Sequence, residues 1–216
     1  MTVNVPDHTP SQDRRRQGPS PLAGERVRPL TRSQLEDRWQ QLGDLYEETS
    51  AGRPWTWGRS RTDFLRRLAV DVRRPGFALL IAETVVRDET SVLTGCAYGF
   101  PVPADGPWWR GLDGSLPQDL TQLAASGRLF AVSGILVPAR VRAKDQDRDW
   151  NLARRLQRRL LTDHAAELGV ILVERGDAGT VEALRAWGWR SVAADPRDDD
   201  LLGIPSGQCR ALVVVP

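Results

Sequence analysis

The sequence predicts an α/β domain with a mixed β-sheet of about six to seven strands, flanked by about four helices. Three observations lead to this prediction. Apolar residues recur at helical spacing between residues 31 and 72. Two β-prone apolar runs then follow one another around a polar turn. From Leu129 onwards, short apolar strands alternate with amphipathic helices, which is typical of crossover connections.

The composition is that of an ordinary globular protein. The 216 residues are 40% hydrophobic and 27% charged, and the net charge of +2 is too small to indicate a nucleic-acid partner. Cys96 and Cys209 lie in apolar runs and are interpreted as buried thiols in a reducing cytosol. No apolar run reaches the roughly 18 residues of a membrane span, and the N-terminus has no apolar secretion signal. We therefore expect a cytoplasmic protein.

The first residues differ in composition from the rest of the chain. Residues 1–29 are rich in Pro, Gly, Ser, Asp and Arg and have no hydrophobic period. Such a segment cannot bury enough apolar surface to offset the entropy of ordering it. It is predicted to be a disordered tail, followed by one domain over residues 30–216.

Two amphipathic helices are predicted at the start of this domain. Thr31 with Gln34, or Ser33 with Glu36, can form the capping box of the first helix, whose apolar face ends near Ser50. The second helix follows shortly after and is ended by a Pro-Gly pair.

The middle of the chain changes to the period of β-strands. Phe77–Val86 and Val92–Phe100 are predicted to form a β-hairpin. After a long loop we expect a short helix, Gln118–Ser126, and a strand, Leu129–Val137. A charged loop then leads to Asp149.

The last third is predicted to alternate helices and strands. A helix from about Asn151 to Leu168 has a leucine stripe on one face and arginines on the others, and Gly169 is expected to cap it. The elements that follow are the strand Val170–Glu174, the helix Asp177–Trp187 and the strands Gly188–Ala193 and Cys209–Val215.

The segment before the arginine-rich helix reads Arg148-Asp149-Trp150-Asn151-Leu152-Ala153. It resembles the coenzyme A loop of the GNAT family of N-acetyltransferases, Arg/Gln-x-x-Gly-x-Gly/Ala, with Asn151 in the first glycine position. The order of elements resembles that of the family over about residues 29–216, and Ala183–Trp189 is similar to its helix-to-strand step. The resemblance implies the GNAT fold and a cofactor, either acetyl-CoA or another acyl-CoA.

A helix N-terminus suits the pyrophosphate of such a cofactor. Its first N–H groups lack intrahelical partners, and the macrodipole places positive potential there. Asn151 is a tolerable substitute for glycine because asparagine adopts positive φ more readily than other residues. Arg142 or Lys144 could add charge. The resemblance implies cofactor contacts from Ile135, Leu136, Val137, Arg148, Asn151, Leu152, Ala153 and Arg154.

The resemblance implies direct transfer of the acyl group to a small amine. The family's usual base and acid have no counterpart, since the strand Leu129–Val137 offers only Ser133 and the tyrosine position is Leu184. The candidate catalytic residues are Ser133, Tyr98 and Glu83, with Glu48 as a further candidate base. Loop tryptophans could line an aromatic acceptor pocket: Trp55, Trp57, Trp108 and Trp109.

Two other interpretations stay open. The missing acid and base, with the acidic residues Asp145, Asp147 and Asp149, are also compatible with a catalytically silent GNAT-fold binding or regulatory module. Nucleic-acid binding by the arginines of Arg154–Arg159 is disfavoured because no aromatic residues are interleaved with them. The sequence leaves open the acceptor, the acyl length and the oligomeric state, including a homodimer.

No metal site is expected. Asp145, Asp147 and Asp149 match the first ligands of a calcium loop, but Trp150 stands where that loop needs glycine and Leu156 where it needs glutamate. Neither histidine has a neighbour at metal-ligand spacing.

Overall fold

The computed structural model describes residues 25–50, 60–85, 91–103, 118–145, 151–174, 176–192 and 209–216. One sheet contains seven strands: β1 (Glu25–Pro29), β2 (Ala78–Val85), β3 (Ser91–Pro101), β4 (Leu129–Leu136), β5 (Leu168–Glu174), β6 (Arg190–Ser191) and β7 (Cys209–Val214). Their order is β1-β2-β3-β4-β5-β7-β6. The β4–β5 pair is parallel and the others are antiparallel, which confirms the predicted mixed sheet.

Seven helices accompany the sheet in the described ranges: α1 (Arg32–Asp37), α2 (Trp39–Ser50), α3 (Arg61–Asp71), α4 (Gln118–Ala125), α5 (Ala139–Asp145), α6 (Leu152–Asp163) and α7 (Ala178–Ala186). The predicted capping box of Thr31 and Gln34 is present at α1. The first predicted helix is divided in two at Arg38, which ends α1. Ser60 caps α3, because its side chain accepts a hydrogen bond from Asp63 N.

The sheet separates two layers of helices. On one face, Leu156 of α6 and Val181 of α7 pack with Val132 of β4 in the larger buried cluster. On the other face, Leu42 of α2 and Phe64 of α3 belong to a second cluster with β2 and β3. The alternation of side chains along the strands supplies both clusters, as expected for a central sheet buried on two sides.

The edge strand β1 corrects the predicted boundary of the tail. Glu25–Pro29 pair antiparallel with β2, so the prediction of disorder is wrong for these five residues. The Glu25 side chain is 1% exposed and forms an ion pair with Arg155 of α6. Backbone pairing with β2 and this buried ion pair hold the strand in place, so it is ordered without an apolar period. The rest of the predicted tail lies outside the described residues.

Two predicted boundaries around α6 are also wrong. The charged loop after Pro138 contains the helix α5, in which Val141 is buried against the main core. The C-terminal end of α6 is at Asp163 instead of Leu168, and Ala165 adopts a φ of 50°. Gly169 is not a cap, because it lies in β5 opposite Phe130. The parallel pairing with β4 therefore begins earlier than the hydrophobic pattern indicated.

No described helix is long and apolar enough to cross a membrane. Within the described ranges, no group of three or more His, Cys, Asp or Glu side chains could hold a metal ion.

Candidate functional site

A wedge-shaped gap opens in the middle of the sheet between β4 and β5. The two strands pair over only three positions, Leu129↔Leu168, Phe130↔Gly169 and Ala131↔Val170. Beyond these, β4 continues to pair with β3 as far as Leu136, while β5 pairs with β7 as far as Glu174. The strands therefore separate towards their carboxyl ends, and we call the space between them the wedge.

A β-bulge lies where the wedge begins. Tyr98 pairs with Gly134 and Gly99 with Val132, which leaves Ser133 without a partner in the ladder. The extra residue reverses the alternation of β4, so that Val132 before it and Ile135 after it both join the α6 cluster. The half-buried Ser133 thus lies near the narrow end of the wedge, close to the last β4–β5 pair. The bulge could not be read from the apolar run, because every residue around it is small or apolar.

A cavity of about 420 Å³ lies beyond the end of β4. Val137 and Arg142 line it from the segment that leaves β4, and Asn151, Leu152 and Ala153 line it from the start of α6. The opposite wall is α7, whose small residues Gly179, Ala183 and Ala186 face the cavity together with Glu182 and Trp187. Four of the predicted cofactor-binding residues are therefore brought together, and sequence reasoning missed the α7 wall.

Asn151 acts as the N-cap of α6. Its φ of −64° and ψ of 165° are extended, and its Oδ1 accepts a hydrogen bond of 3.0 Å from Arg154 N. The prediction of a glycine-like, left-handed conformation is thus wrong, because a capping residue has extended backbone angles. The site keeps its electrostatic character, since the N–H groups of a first helical turn and the macrodipole attract anions.

The charged side chains around the cavity have different roles. Arg142 lines the cavity on the α5 side. Arg154, predicted to bind cofactor, donates from Nη2 to Ala186 O at 2.8 Å, so its guanidinium reaches the end of α7. Arg148 lies outside the described residues, as does the side chain of Lys144.

The predicted strand contacts are divided between the two faces of β4. Ile135 and Val137 are buried on the α6 side, whereas Leu136 belongs to the cluster under α2 and α3. A ligand in the wedge would therefore meet Leu136 through its backbone.

Tyr98 and Ser133 are brought to the same part of the sheet. The Tyr98 ring lies over Gly134, where a Cβ would be 2.5 Å from its Cε1 and 2.9 Å from its hydroxyl. Only glycine leaves room for the ring at this position. Burial raises the pKa of Tyr98 far above its usual range, so the phenol stays protonated.

Glu83 lies away from the wedge. It is on β2, which β3 separates from β4, and Arg28 Nε donates to its Oε1 at 2.7 Å. This hydrogen bond, with the charges of Arg28 and Arg38, lowers the pKa of Glu83 despite its burial. A carboxylate with a lowered pKa is a poor base at neutral pH. Both its position on β2 and its lowered pKa therefore count against Glu83 as a catalytic base.

Glu48, the further candidate base, also has a structural partner. Arg140 of α5 binds both of its carboxylate oxygens and also donates to Leu93 O at 3.4 Å. The tryptophans proposed for the acceptor pocket, Trp55, Trp57, Trp108 and Trp109, lie outside the described residues.

No protein-family model and no curated protein sequence matches the chain. Solved structures do match it. A protein assigned to the GNAT family of acetyltransferases from Desulfovibrio desulfuricans has a TM-score of 0.51 and 14% identity, over 88% of this chain and 96% of that one. A protein from Acinetobacter baylyi assigned as an acetyltransferase has a TM-score of 0.50 and 10% identity, over 89% and 92%. A Salmonella typhimurium protein of the same assignment, solved with acetyl-CoA, has a TM-score of 0.49 and 17% identity, over 89% and 94%. The likeness at these identities is one of fold.

Proposed function

We propose that this domain, which has the fold of the GNAT acetyltransferases, binds an acyl-CoA and transfers the acyl group directly to a small amine. Acetyl-CoA is the donor we propose first. The observation that carries the proposal is the cavity of about 420 Å³ that joins the end of β4 to the first turn of α6. An anionic group at one end and an extended chain along β4 fit this combination of a cavity and a wedge.

The pyrophosphate is assigned to the first turn of α6. Asn151 Oδ1 accepts from the N–H of Arg154, and the macrodipole of α6 adds positive potential at this turn. Ala153 is small, so a phosphate oxygen can approach the backbone closely. Arg142, on the opposite side, supplies a positive charge. Glu182 also lines the cavity, and its carboxylate favours an arrangement in which the phosphates stay on the α6 side.

The pantetheine arm is assigned to the free edge of β4 in the wedge. From Gly134 to Leu136, β4 pairs with β3 on one side, while its pairing with β5 has already ended. The backbone groups on the β5 side can therefore bond to an amide-bearing chain, as an added strand would. In this proposal the thioester lies near the bulge at Ser133.

The proposed reaction needs positioning more than a dedicated base. An amine that arrives unprotonated attacks the thioester carbonyl, the C–N bond forms and the C–S bond breaks. The proton lost by the amine balances the charge of the departing thiolate. Fixed geometry and a backbone N–H donor to the carbonyl oxygen supply the rate enhancement. Ser133 and the protonated Tyr98 are the candidate side chains at this place, and Trp55, Trp57, Trp108 and Trp109 are proposed for the acceptor side.

A second candidate function is a binding or regulatory module that holds acyl-CoA without turnover. One observation favours it. Glu83 is held by Arg28 and Arg38 away from the wedge, and β4 contributes no carboxylate of its own.

Calorimetry with acetyl-CoA tests the shared part of both functions. We expect binding in the micromolar range, and its absence at high micromolar concentration would contradict both. Arg142→Glu should weaken binding, whereas the same charge change at Arg190, exposed on β6 and outside the cavity lining, should not. Release of the CoA thiol with any member of an amine panel would decide for the transferase, and binding without release would decide for the module.

A further inference from the structure

A buried amide connects α6 with the end of α7. Gln157 has a polar side chain, yet it lies in the apolar stripe of α6 and is only 5% exposed. Its Nε2 donates to Trp187 O at 2.8 Å, and its Oε1 accepts from Trp189 Nε1 at 2.8 Å. Both polar groups of this side chain are therefore used inside the core, where an unmade hydrogen bond is costly.

The same helix holds α7 a second time, one turn earlier. Arg154 Nη2 donates to Ala186 O at 2.8 Å, so consecutive turns of α6 bind consecutive carbonyls at the end of α7. The last carbonyls of a helix lack intrahelical partners and carry the negative end of its dipole. We call Arg154 and Gln157 the α7 clamp.

The clamp binds two residues that line the cavity. Ala186 and Trp187, whose carbonyls it binds, form part of one wall, and Leu152 and Ala153 of α6 form part of the other. Gln157 is not among the residues that line the cavity. Its hydrogen bond nevertheless joins the two walls, because it runs from one helix to the backbone of the other.

We infer that Gln157 is a positioning residue for the ligand site: its hydrogen bond to Trp187 O holds the α7 wall at the separation from α6 that an acyl-CoA requires. The inference rests on the proposed function for the identity of the ligand. Of the two hydrogen bonds that Gln157 makes, the inference gives the positioning role to the bond with Trp187 O. The Trp189 bond holds the residue that precedes β6, and Trp189 does not line the cavity.

Two variants separate these bonds. Gln157→Glu keeps an acceptor for Trp189 but loses the donor to Trp187 O, and when ionised it places a carboxylate beside the negative end of α7. Trp189→Phe removes the indole donor and leaves the bond between Gln157 and Trp187 in place. Each variant removes one buried hydrogen bond, so both should lose some thermal stability.

Affinity for acetyl-CoA should distinguish the variants. At pH 8 we expect Gln157→Glu to weaken binding about tenfold and Trp189→Phe to change it less than about twofold. As the pH falls, the buried carboxyl takes up a proton and can again donate to Trp187 O, so the affinity of Gln157→Glu should recover. Equal losses in both variants, or no recovery in acid, would overturn the inference.

A readout without ligand keeps the test independent of the proposed function. Amide hydrogen exchange should become faster across α7 in Gln157→Glu and stay near the wild-type rate in Trp189→Phe. Unchanged α7 exchange in Gln157→Glu would contradict the positioning role. If the wild-type protein binds no acetyl-CoA but α7 responds as described, the proposed ligand is wrong and the clamp stands.

Discussion

Arg28 on β1 donates from Nε to Glu83 Oε1 on β2 at 2.7 Å, in a pair of which Glu83 is only 10% exposed. A second arginine, Arg38 at the end of α1, lies 3.8 Å from the other carboxylate oxygen. The ion pair joins the edge strand and the first helix to the sheet. Glu83, a candidate catalytic base, thus has a structural role on the side of β3 that faces away from β4 and the wedge.

Glu83→Gln should lose stability in a pH-dependent way. The hydrogen bond and charge of Arg28 lower the pKa of Glu83 in the folded protein. A carboxyl with a lowered pKa stabilises the fold above its unfolded-state pKa, and this contribution is lost as the pH falls through the folded-state value. Urea unfolding at a series of pH values should therefore show a deficit of the variant that is full at pH 7 and shrinks towards acid. A deficit that stays constant with pH would contradict this account.

Asn151 separates helix capping from ligand charge. Asn151→Ala removes the cap of α6 and should cost about 1 kcal/mol of stability, whereas Asn151→Asp keeps a capping oxygen and should leave stability within a few tenths. For acetyl-CoA the order reverses, since the carboxylate of the aspartate lies beside the proposed pyrophosphate site. We expect Asn151→Asp to bind more weakly than Asn151→Ala by calorimetry. If Asn151→Asp binds acetyl-CoA more tightly than Asn151→Ala, the phosphate site does not lie at the first turn of α6.

The order of elements could be predicted because local signals agree with the fold. The hairpin β2–β3 and the capping box at Thr31 each depend on a few neighbouring residues. β1 could not be predicted in this way. Its five residues include a single aliphatic side chain, Val27, and are ordered by pairing with β2 and by Arg155, which is 130 residues away in sequence.

The candidate site shows the same division between local and distant signals. The family resemblance implies cofactor contacts from Val137, Asn151, Leu152 and Ala153, and these four residues do line one cavity. The bulge at Ser133 and the α7 wall depend on pairing between distant strands and helices, which no single segment records.

Gly134 is predicted to be intolerant of any side chain. A Cβ there would lie 2.5 Å from Tyr98 Cε1, so Gly134→Ala should cost about 1–3 kcal/mol through overpacking. In a Tyr98→Ala background the space is open, and the same change should cost much less. A double-mutant cycle by urea unfolding measures this coupling. Gly176→Ala is the control, since a Cβ there meets nothing within 4 Å, and its effect should stay within about 0.5 kcal/mol. Additive effects at Gly134 and Tyr98 would contradict the contact.

Cys96 should report the opening of the central sheet. It lies on β3, it is 0% exposed, and burial raises the pKa of its thiol to about 12. Thiol reagents attack the thiolate, so labelling requires the strand to open. In a Cys209→Ser variant, we expect slow labelling at pH 8 that accelerates with urea along the global unfolding transition. Acetyl-CoA should slow it, because a ligand of the folded state reduces the open population. The half-buried Cys209, tested in Cys96→Ser, should react faster. Equal rates for the two thiols in the native protein would show that β3 opens locally.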